Sequence, residues 1–433
     1  MTDTGGGYAV LVGLDWADQK HDLQCLFVQD GKEQHVVLPS APEDLHEWVS
    51  ALRARFPNGR IAVCLEQSRG PVVYELACYD FVDMYPVNPV SLKRYRETFH
   101  PSGAKDDPSD AAFLLDLLRK HRESLPRLAP EDGKSRELRL LCEYRRKAVD
   151  ARTALTNALR SALKQYYPQA LTLAGEDLHA ELACALLMKW PRFDDIAAAK
   201  PQTVRKFYYA LGSRSETAIT ERLQLLATSR PLTTDRAVVE PCVLRVHQLV
   251  AEIRALNKAI KNFDKSIGCI FQEHSDAFIF KSLPGAGPQL APRLLAAFGS
   301  DRSKYHDALE VNTYSGVAPV IERSGKQKWV HWRWHCPKFL RQSFVEYAGK
   351  SIGQCEWARL YYQELMQGSK DRPAKGHQAA LRALAFKWNR IIFRCWQERT
   401  PYDERKYLAS LAKHGSWLAA RLNLLAEKTQ KTA

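Results

Sequence analysis

The stretch "YAVLVGLDWADQKHDLQCLFVQDGKEQHVVLP" (residues 8–39) decides the fold class of the chain. Its runs of apolar, β-branched and aromatic residues predict three consecutive strands, and Asp30-Gly31 predicts a tight hairpin turn between the second and the third. Farther along, "RIAVCLE" (60–66) and "FVDMYPV" (81–87) predict two more strands, with helical segments between and after them. This alternation predicts an α/β layer with a mixed sheet.

Four segments with different patterns follow one another along the 433 residues. Residues 1–125 have the element order of a ribonuclease-H-like domain. Residues 126–277 are nearly all helical, and residues 278–400 predict a mostly α-helical third domain. The last segment, residues 401–433, is a basic helical tail. Residues 170–235 match no motif and therefore give no functional prediction.

The helical middle contains one continuous apolar seam with alternating spacings of four and three residues. Its members are Cys242, Val246, Leu249, Ile253, Leu256, Ile260, Phe263, Ile267 and Ile270. This spacing is typical of a coiled coil. It predicts a seam shared with a partner chain or with a long antiparallel neighbour, and a helix packed inside one subunit is the alternative.

Composition restricts the class of partner. The chain has 63 basic and 49 acidic residues, a net charge of +14, which favours a polyanionic partner, nucleic acid before acidic membrane. No apolar run is long enough to span a bilayer, and the N-terminus lacks the pattern of a secretory signal. Ten scattered cysteines without a C-x-x-C pair predict reduced thiols in a cytoplasmic protein, not a disulfide framework or a zinc knuckle.

Four carboxylates are candidates for one metal site. Asp15 and Glu66 each end an apolar strand, and "AKDDPSDAAFLL" (104–115) puts Asp107 and Asp110 at the start of a helix. Residues three apart share a face of a helix. Four carboxylates in one cleft repel one another unless divalent cations lie between them, so the pattern predicts Mg²⁺ ions that clamp a phosphodiester.

The aspartates of the helix start also have a purely structural interpretation. Asp107 before Pro108 is a good N-cap, and Asp110 then lies near the positive end of the helix dipole. Asp106 lies four residues before Asp110 and remains a possible metal ligand.

The second half of the chain contains a basic stretch rich in tryptophan, "YSGVAPVIERSGKQKWVHWRWHCPKFLRQSF" (314–344). Cations neutralise phosphates and indoles stack on unpaired bases, so these side chains predict a nucleic-acid surface. The predicted contacts are Arg323, Lys326, Lys328, Trp329, Arg333, Lys338 and Arg341. The alternation "WVHWRW" (329–334) also fits a strand with its tryptophans in the core. Upstream, "LPGAG" (283–287) before an apolar helix resembles a helix-hairpin-helix turn, which binds phosphate, and a plain packing turn is the alternative.

Four motifs resemble those of one protein family. "GLDWADQKHDL" (13–23), "CLEQSRG" (64–70), "KDDPSDAAFL" (105–114) and "GVAPVIERSG" (316–325) are similar to motifs of the DEDD transposases of insertion sequences. That family has a RuvC-like N-terminal domain, a C-terminal transposase domain with a serine nucleophile, and a bridge RNA as guide. By position, the resemblance implies a tetrad of Asp15, Glu66, Asp107 and Asp110, with Asp106 where the family has a small hydroxyl residue.

The resemblance implies a DNA transposase that excises and inserts a mobile element through Mg²⁺-dependent cleavage and strand exchange. It implies that Ser324 forms a covalent phosphoserine with DNA, and that a bridge noncoding RNA specifies donor and target DNA. No His-Asp pair is evident beside Ser324, so we expect the distant carboxylates to contribute its activation. Recombination and the apolar seam together predict a dimer that becomes a tetramer.

Two other functions fit the same residues. A RuvC-like endonuclease or junction resolvase would use the carboxylates and Mg²⁺ to hydrolyse DNA with water, without the serine. A non-catalytic nucleic-acid-binding protein would use the carboxylates only as helix caps and in turns.

Overall fold

The computed structural model describes residues 7–66, 68–99, 107–128, 131–325, 327–368, 373–422 and 424. They belong to two units, 1–130 and 131–433. The first unit is a mixed α/β layer and the second is mostly helical. The finer boundaries expected after residues 277 and 400 stay predictions.

The first unit contains one sheet with the order β3-β2-β1-β4-β5. Its strands are β1 (Tyr8–Trp16), β2 (Lys20–Phe27), β3 (Lys32–Pro39), β4 (Arg60–Leu65) and β5 (Val82–Pro86). Its helices are α1 (Pro42–Arg55), α2 (Pro71–Leu76), α3 (Pro89–Phe99) and α4 (Asp107–His121). The first three strands are antiparallel neighbours, and β1, β4 and β5 run parallel. This order is consistent with the expected ribonuclease-H-like fold.

Strand alternation divides the core of this unit into two layers. Val12 and Leu14 of β1 pack with α1 and α2 on one face of the sheet. Leu11 of β1 and Cys64 of β4 pack on the other face, with α3 and α4. Because successive side chains of a strand point to opposite faces, the odd-numbered residues of β1 lie on the side of α4.

Gly13 lets α4 lie directly on the sheet. A Cβ atom at this position would be 2.0 Å from the Ala111 carbonyl oxygen and 2.4 Å from the Leu115 nitrogen. Both atoms are backbone, so they cannot move without displacing the helix. The absence of a side chain at Gly13 therefore fixes how close the start of α4 comes to the end of β1.

We expect Gly13→Ala to destabilise the first unit by about 2–3 kcal/mol, because the added methyl group overpacks a backbone contact. Hydrogen exchange of the amides in β1 and α4 measures this loss. Gly268→Ala is the control, since a Cβ there meets nothing within 4 Å and alanine favours a helix. Unchanged protection of β1 in Gly13→Ala would contradict the close contact.

The second unit begins with a long helix and contains one small hairpin. Its helices are α5 (Gly133–Tyr166), α6 (Ala170–Ala174), α7 (Glu181–Lys189), α8 (Phe193–Ala197), α9 (Pro201–Ala210), α10 (Glu216–Thr228), α11 (Arg236–Glu273), α12 (Ala277–Lys281), α13 (Gly287–Phe298), α14 (Ala308–Tyr314), α15 (Lys338–Ser351), α16 (Glu356–Gln367), α17 (His377–Gln397) and α18 (Glu404–Lys413). The hairpin consists of β6 (Val320–Ser324) and β7 (Gln327–His331), between α14 and α15.

The predicted apolar seam lies on α11 and packs against α5 of the same chain. The two helices are antiparallel, since Lys134 pairs with Glu273 at 3.0 Å and Gln165 lies opposite Cys242. Of the alternatives left open by the sequence, the structure shows the long antiparallel neighbour. The seam therefore no longer supports a partner chain, and the oligomeric state stays a prediction.

Two apolar cores lie at opposite ends of the α5–α11 pair. Leu163 and Val246 belong to a core formed with the short helices α6 to α10. Leu138 and Ile267 belong to a second core built around α13, α15 and α17. Among the described residues, no helix is long and apolar enough to cross a membrane.

Candidate active site and nucleic-acid interface

Asp15 and Glu66 lie side by side at one end of the sheet. Strands β1 and β4 are parallel with Leu14 opposite Leu65, and Asp15 and Glu66 are the next residues of the two strands. Because Leu14 faces α1 and α2, alternation puts Asp15 on the face that α4 covers, and Glu66 follows the last residue of β4 at the same end of the sheet. Both residues are half-buried.

Asp110 lies on the same face of the sheet, in the first turn of α4. It precedes Ala111, whose carbonyl oxygen contacts Gly13, two residues before Asp15. Asp110 is buried, and Arg96 of α3 donates a hydrogen bond to its carboxylate. The fold thus brings Asp15, Glu66 and Asp110 to one end of the sheet. Asp107 is the first residue of α4, and its side chain, like all of Asp106, lies outside the described residues.

These carboxylates fit Mg²⁺ by their chemistry, since carboxylate oxygens are the ligands that this ion prefers. In the described part of the chain, however, no three Asp, Glu, His or Cys side chains are arranged to hold a metal ion. Arg96 gives one physical reason, because its guanidinium already neutralises Asp110. Arg96 pairs with one oxygen of the Asp110 carboxylate, Oδ1, and so competes with a cation for this group.

A further carboxylate, Asp22, lies next to the predicted set. It is directly opposite Asp15 in the β1–β2 ladder and is only 3% exposed. Lys20 lies 3.2 Å from its carboxylate and His35 lies 3.1 Å from it. Facing residues of an antiparallel pair have side chains on the same face. The sequence prediction missed Asp22, because the register of β1 against β2 depends on the turn between these two strands, for which the sequence shows no clear turn motif.

Ser324 is the last residue of β6, at the tip of an exposed hairpin. It pairs with Gln327 across a two-residue turn, and Gly325 in this turn has φ +58°, a conformation that favours glycine. Ser324 is exposed, and within the described residues no hydrogen bond to its hydroxyl group is found. The hydroxyl is exposed to solvent, and no described side chain is placed as a base to activate it.

Two predicted phosphate contacts face each other on this hairpin. Arg323 lies directly opposite Lys328, so two cations share one face of the ladder, which is unfavourable unless an anion lies beside them. By alternation, Ser324 and Trp329 lie on the other face. Lys326 lies outside the described residues.

The tryptophans of residues 329–334 do not all lie on one strand, although the alternation suggested this. Strand β7 ends at His331, so Trp332 and Trp334 lie beyond it. Trp329 is 43% exposed and Trp334 is 79% exposed, so neither ring lies in the core, and both remain available for stacking on bases. The alternation "WVHWRW" was misleading because the chain leaves the hairpin halfway through it.

Trp332 forms a cluster with two arginines. The guanidinium carbon of Arg341 is 4.5 Å from the centre of its ring, and that of Arg382 is 3.8 Å away. Burial and the nearby charge of Arg341 lower the pKa of Arg382. No sequence pattern indicated Arg382, because only the packing of α17 brings it to Trp332. Of the other predicted contacts, Lys338 is exposed at the start of α15 and Arg333 is half-buried.

A buried serine and histidine next to an exposed aspartate, elsewhere in the second unit, do not form a hydrolytic site. Ser135 donates to Asp132 at 2.6 Å, and His274 Nε2 lies 2.9 Å from the same serine oxygen. The backbone N–H of Asp276 donates to His274 Nδ1, so the neutral ring carries its proton on Nε2. Such a histidine donates to Ser135 and cannot accept its proton. The cluster caps α5, and burial lowers the pKa of His274.

Two family models match separate parts of the chain. A transposase model of the DEDD, IS110 type matches residues 12–168, which include Asp15, Glu66 and Asp110. A model for transposases of the IS116/IS110/IS902 family matches residues 277–363, which include the Ser324 hairpin. Residues 169–276 lie between the two matches.

Individual proteins are similar over most or part of the chain. Over 414 residues the chain is 27% identical to the mini-circle putative transposase for IS117 of Streptomyces coelicolor, covering 93% of this chain and 97% of that protein. Over 215 residues it is 34% identical to the putative transposase y4uE of Sinorhizobium fredii, covering 48% and 57%. It is also 23% identical over 407 residues to an uncharacterized 43.6 kDa protein of insertion element IS110 from S. coelicolor, covering 92% and 96%.

The two family models match the parts of the chain that contain the carboxylates at the end of the sheet and the exposed serine hairpin. The protein belongs to the IS110/IS116/IS902 family of transposases.

Proposed function

We propose that this transposase cleaves and rejoins DNA through a covalent link to Ser324, using Mg²⁺ held by the carboxylates of the first unit. The placement of Asp15, Glu66 and Asp110 at one end of the sheet, with Asp15 and Asp110 on the same face, carries the proposal. Asp107 is the fourth proposed ligand, from its position at the start of α4. The first unit would then be a RuvC-like catalytic domain.

The carboxylates would hold the metal and set its position. Asp15 and Glu66 are fixed by the β1–β4 ladder, and Asp110 is fixed by the contact of α4 with Gly13. Mg²⁺ bound there supplies Lewis acidity, which activates an attacking oxygen and stabilises charge on the phosphate. Arg96 orients the Asp110 carboxylate through its hydrogen bond to Oδ1.

Ser324 supplies the nucleophilic oxygen. Its Oγ loses its proton and forms a bond to phosphorus while the bond from phosphorus to the leaving strand breaks, and the leaving oxygen takes up one proton and departs as a hydroxyl, so no net proton is gained or lost. The bond between Ser324 and the phosphate replaces the broken bond of the DNA strand, so the phosphate remains a phosphodiester. A hydroxyl of a second strand can therefore attack it, release Ser324 and complete strand exchange without an external energy source.

The surroundings of the serine suit a DNA strand. Arg323 and Lys328 place two positive charges on one face of the hairpin, and Trp329 presents a partly exposed ring on the other. Arg341 and Arg333 add charge where the chain leaves the hairpin. Phosphates bind the cations, and unpaired bases near a cleavage point stack on the exposed indoles.

We also propose a bridge RNA and a second copy of the chain as partners. The RNA is supported by the family motifs and by the net charge of +14, which suits more than one polyanion. The second copy is supported by the chemistry of recombination, which joins strands from two DNA segments. We expect a dimer that becomes a tetramer when both segments are bound.

One incubation separates this proposal from its alternatives. Labelled DNA that carries the ends of the element is mixed with the chain, Mg²⁺ and RNA transcribed from those ends, and denaturing gels are run with and without protease. A protease-sensitive adduct on DNA supports the serine mechanism. Free nicked DNA without an adduct supports a hydrolytic endonuclease, and binding without cleavage supports a non-catalytic protein. Chelation of Mg²⁺ should prevent the adduct.

A further inference from the structure

A cationic cleft lies in the second unit, away from the Ser324 hairpin in sequence. It has a volume of about 460 Å³ and is lined by α5, the start of α13 and the end of α15. Half of its ten lining residues are cationic: Arg145, Arg146, Arg152, Arg293 and Lys350. Such a lining does not suit an apolar ligand, because small-molecule sites are mostly hydrophobic.

The sequence explains why these cations converge. Arg145, Val149 and Arg152 follow one another at spacings of four and three, so they share one face of α5. Gly285, in the turn "LPGAG", has φ +78°, and a Cβ there would be 3.0 Å from the Lys350 carbonyl oxygen. Glycine at this position therefore lets the turn before α13 lie against the end of α15, which carries Lys350.

The first turn of α13 adds a second attraction for anions. Gln289 and Leu290, near the start of this helix of 12 residues, line the cleft. The N-terminal N–H groups of a helix carry partial positive charge. In α13, Pro288 has no N–H and the Leu290 N–H donates to the Ala286 carbonyl oxygen, so the N–H groups of Gly287 and Gln289 are the ones that can face an anion. The sequence motif that resembles a phosphate-binding turn thus lies beside the arginines of α5.

The carboxylates of the cleft do not neutralise all of its cations. Asp264 pairs with Arg145 at 2.5 Å, and Glu346 is shared by Arg146 and Arg293. Arg146 also pairs with Asp150, on the next turn of α5.

Two cations of the cleft, Arg152 and Lys350, form no ion pair with a described carboxylate. In the described part of the chain, Arg152 has only the amide oxygen of Asn257 at 2.9 Å, and no carboxylate lies within ion-pair distance of Arg152 or Lys350. Burial and the charge of Arg145 lower the pKa of Arg152, and the more distant charges of Asp177 and Asp264 offset only part of this effect.

We propose that this cleft binds the phosphodiester backbone of a nucleic acid, with Arg152 and Lys350 as its phosphate contacts. The site reads no base sequence, because it offers cations and helix N–H groups and no aromatic platform among its lining residues. It rests on the transposase function proposed above, and it adds a second anchor to the Ser324 hairpin. DNA and RNA share the phosphodiester backbone, so the experiment has to distinguish which of the two binds in the cleft.

The test uses the whole chain and the double variant Arg152→Gln/Lys350→Gln. Both side chains are at the edge of the cleft, whereas Arg293 is 5% exposed and its loss would endanger the fold. Fluorescence anisotropy measures the binding of one duplex sequence, prepared as DNA and as RNA, over a series of salt concentrations. The control Lys164→Gln/Lys206→Gln removes two exposed lysines from α5 and α9 and has the same net charge.

Loss of two phosphate contacts should weaken binding about tenfold or more near 150 mM salt and lower the slope of log K against log salt by about 2. A loss on DNA alone, on RNA alone or on both supports the site and names its ligand. An unchanged slope on both duplexes, or an equal loss in the control, overturns the site while leaving the transposase function intact. Wild-type protein that binds neither duplex would overturn both.

Discussion

In Asp15→Asn protein we expect strand cleavage to fall by about 1,000-fold or more, with the fold unchanged. Asparagine has the shape of aspartate, but it lacks the negative charge that holds a divalent cation. Asp15 lies beside Glu66 at the ends of two paired strands, so its loss removes one of the fixed ligands of the proposed site. Gel assays of labelled element ends measure cleavage, and thermal unfolding checks the fold.

Asp18→Asn is the matched control, because Asp18 is exposed and lies only three residues farther along. It should cleave like the wild type. A metal titration adds a readout that does not depend on turnover: Mg²⁺ should raise the unfolding temperature of wild-type and Asp18→Asn protein, but hardly that of Asp15→Asn. Normal cleavage by Asp15→Asn would exclude the carboxylate site.

The second large effect concerns Ser324. We expect Ser324→Ala to form no covalent adduct with DNA, because alanine has no oxygen that can bond to phosphorus. Its fold should be unaffected, since the side chain is exposed at the tip of the hairpin. Binding to DNA should stay within a few-fold of the wild type, because Arg323 and Lys328 remain.

Adducts are measured as protease-sensitive bands on denaturing gels. Ser266→Ala, which removes an exposed serine from α11, should form the adduct normally. If Ser324→Ala retains the adduct, another residue is the nucleophile. If it loses the adduct but still produces nicks, water can replace the serine at the same carboxylates.

Most of the first unit could be predicted from its sequence. Apolar strands ended by Asp15 and Glu66 and the Asp30-Gly31 turn are local signals, and the structure has a strand at each predicted place. The proximity of Asp15 to Glu66 follows from strand order, which chain connectivity restricts to few arrangements.

The partners of the site could not be predicted in the same way. Arg96 contacts Asp110 only because α3 packs beside α4, and Asp22 lies opposite Asp15 because of one particular ladder register. Likewise, Arg382 lies on Trp332 through the packing of α17. Each of these contacts depends on distances between elements, and spacing along the chain carries no information about them.

The apolar seam of α11 shows a different limit of prediction from the sequence. Its spacing from Cys242 to Ile270 correctly indicates a helix with one apolar stripe, but such a stripe is the same whether its neighbour belongs to this chain or to another. Here α5 supplies the neighbour, and ion pairs such as that between Arg145 and Asp264 fix the pairing. The neighbour of the seam is thus α5 of the same chain, and only the sequences of α5 and α11 taken together could indicate this pairing.

The length of this pair restricts how such a protein can diverge. At 1.5 Å per residue, helices of 34 and 38 residues form a strut about 50 Å long, with a separate core at each end. One residue inserted into α5 alone would turn everything beyond it by about 100° and set apolar side chains against water. We therefore expect insertions mainly in the segment that connects the two long helices, in the short helices and loops between Tyr167 and Asp235. Variation in chain length can accumulate there while the spacing of the two cores stays constant.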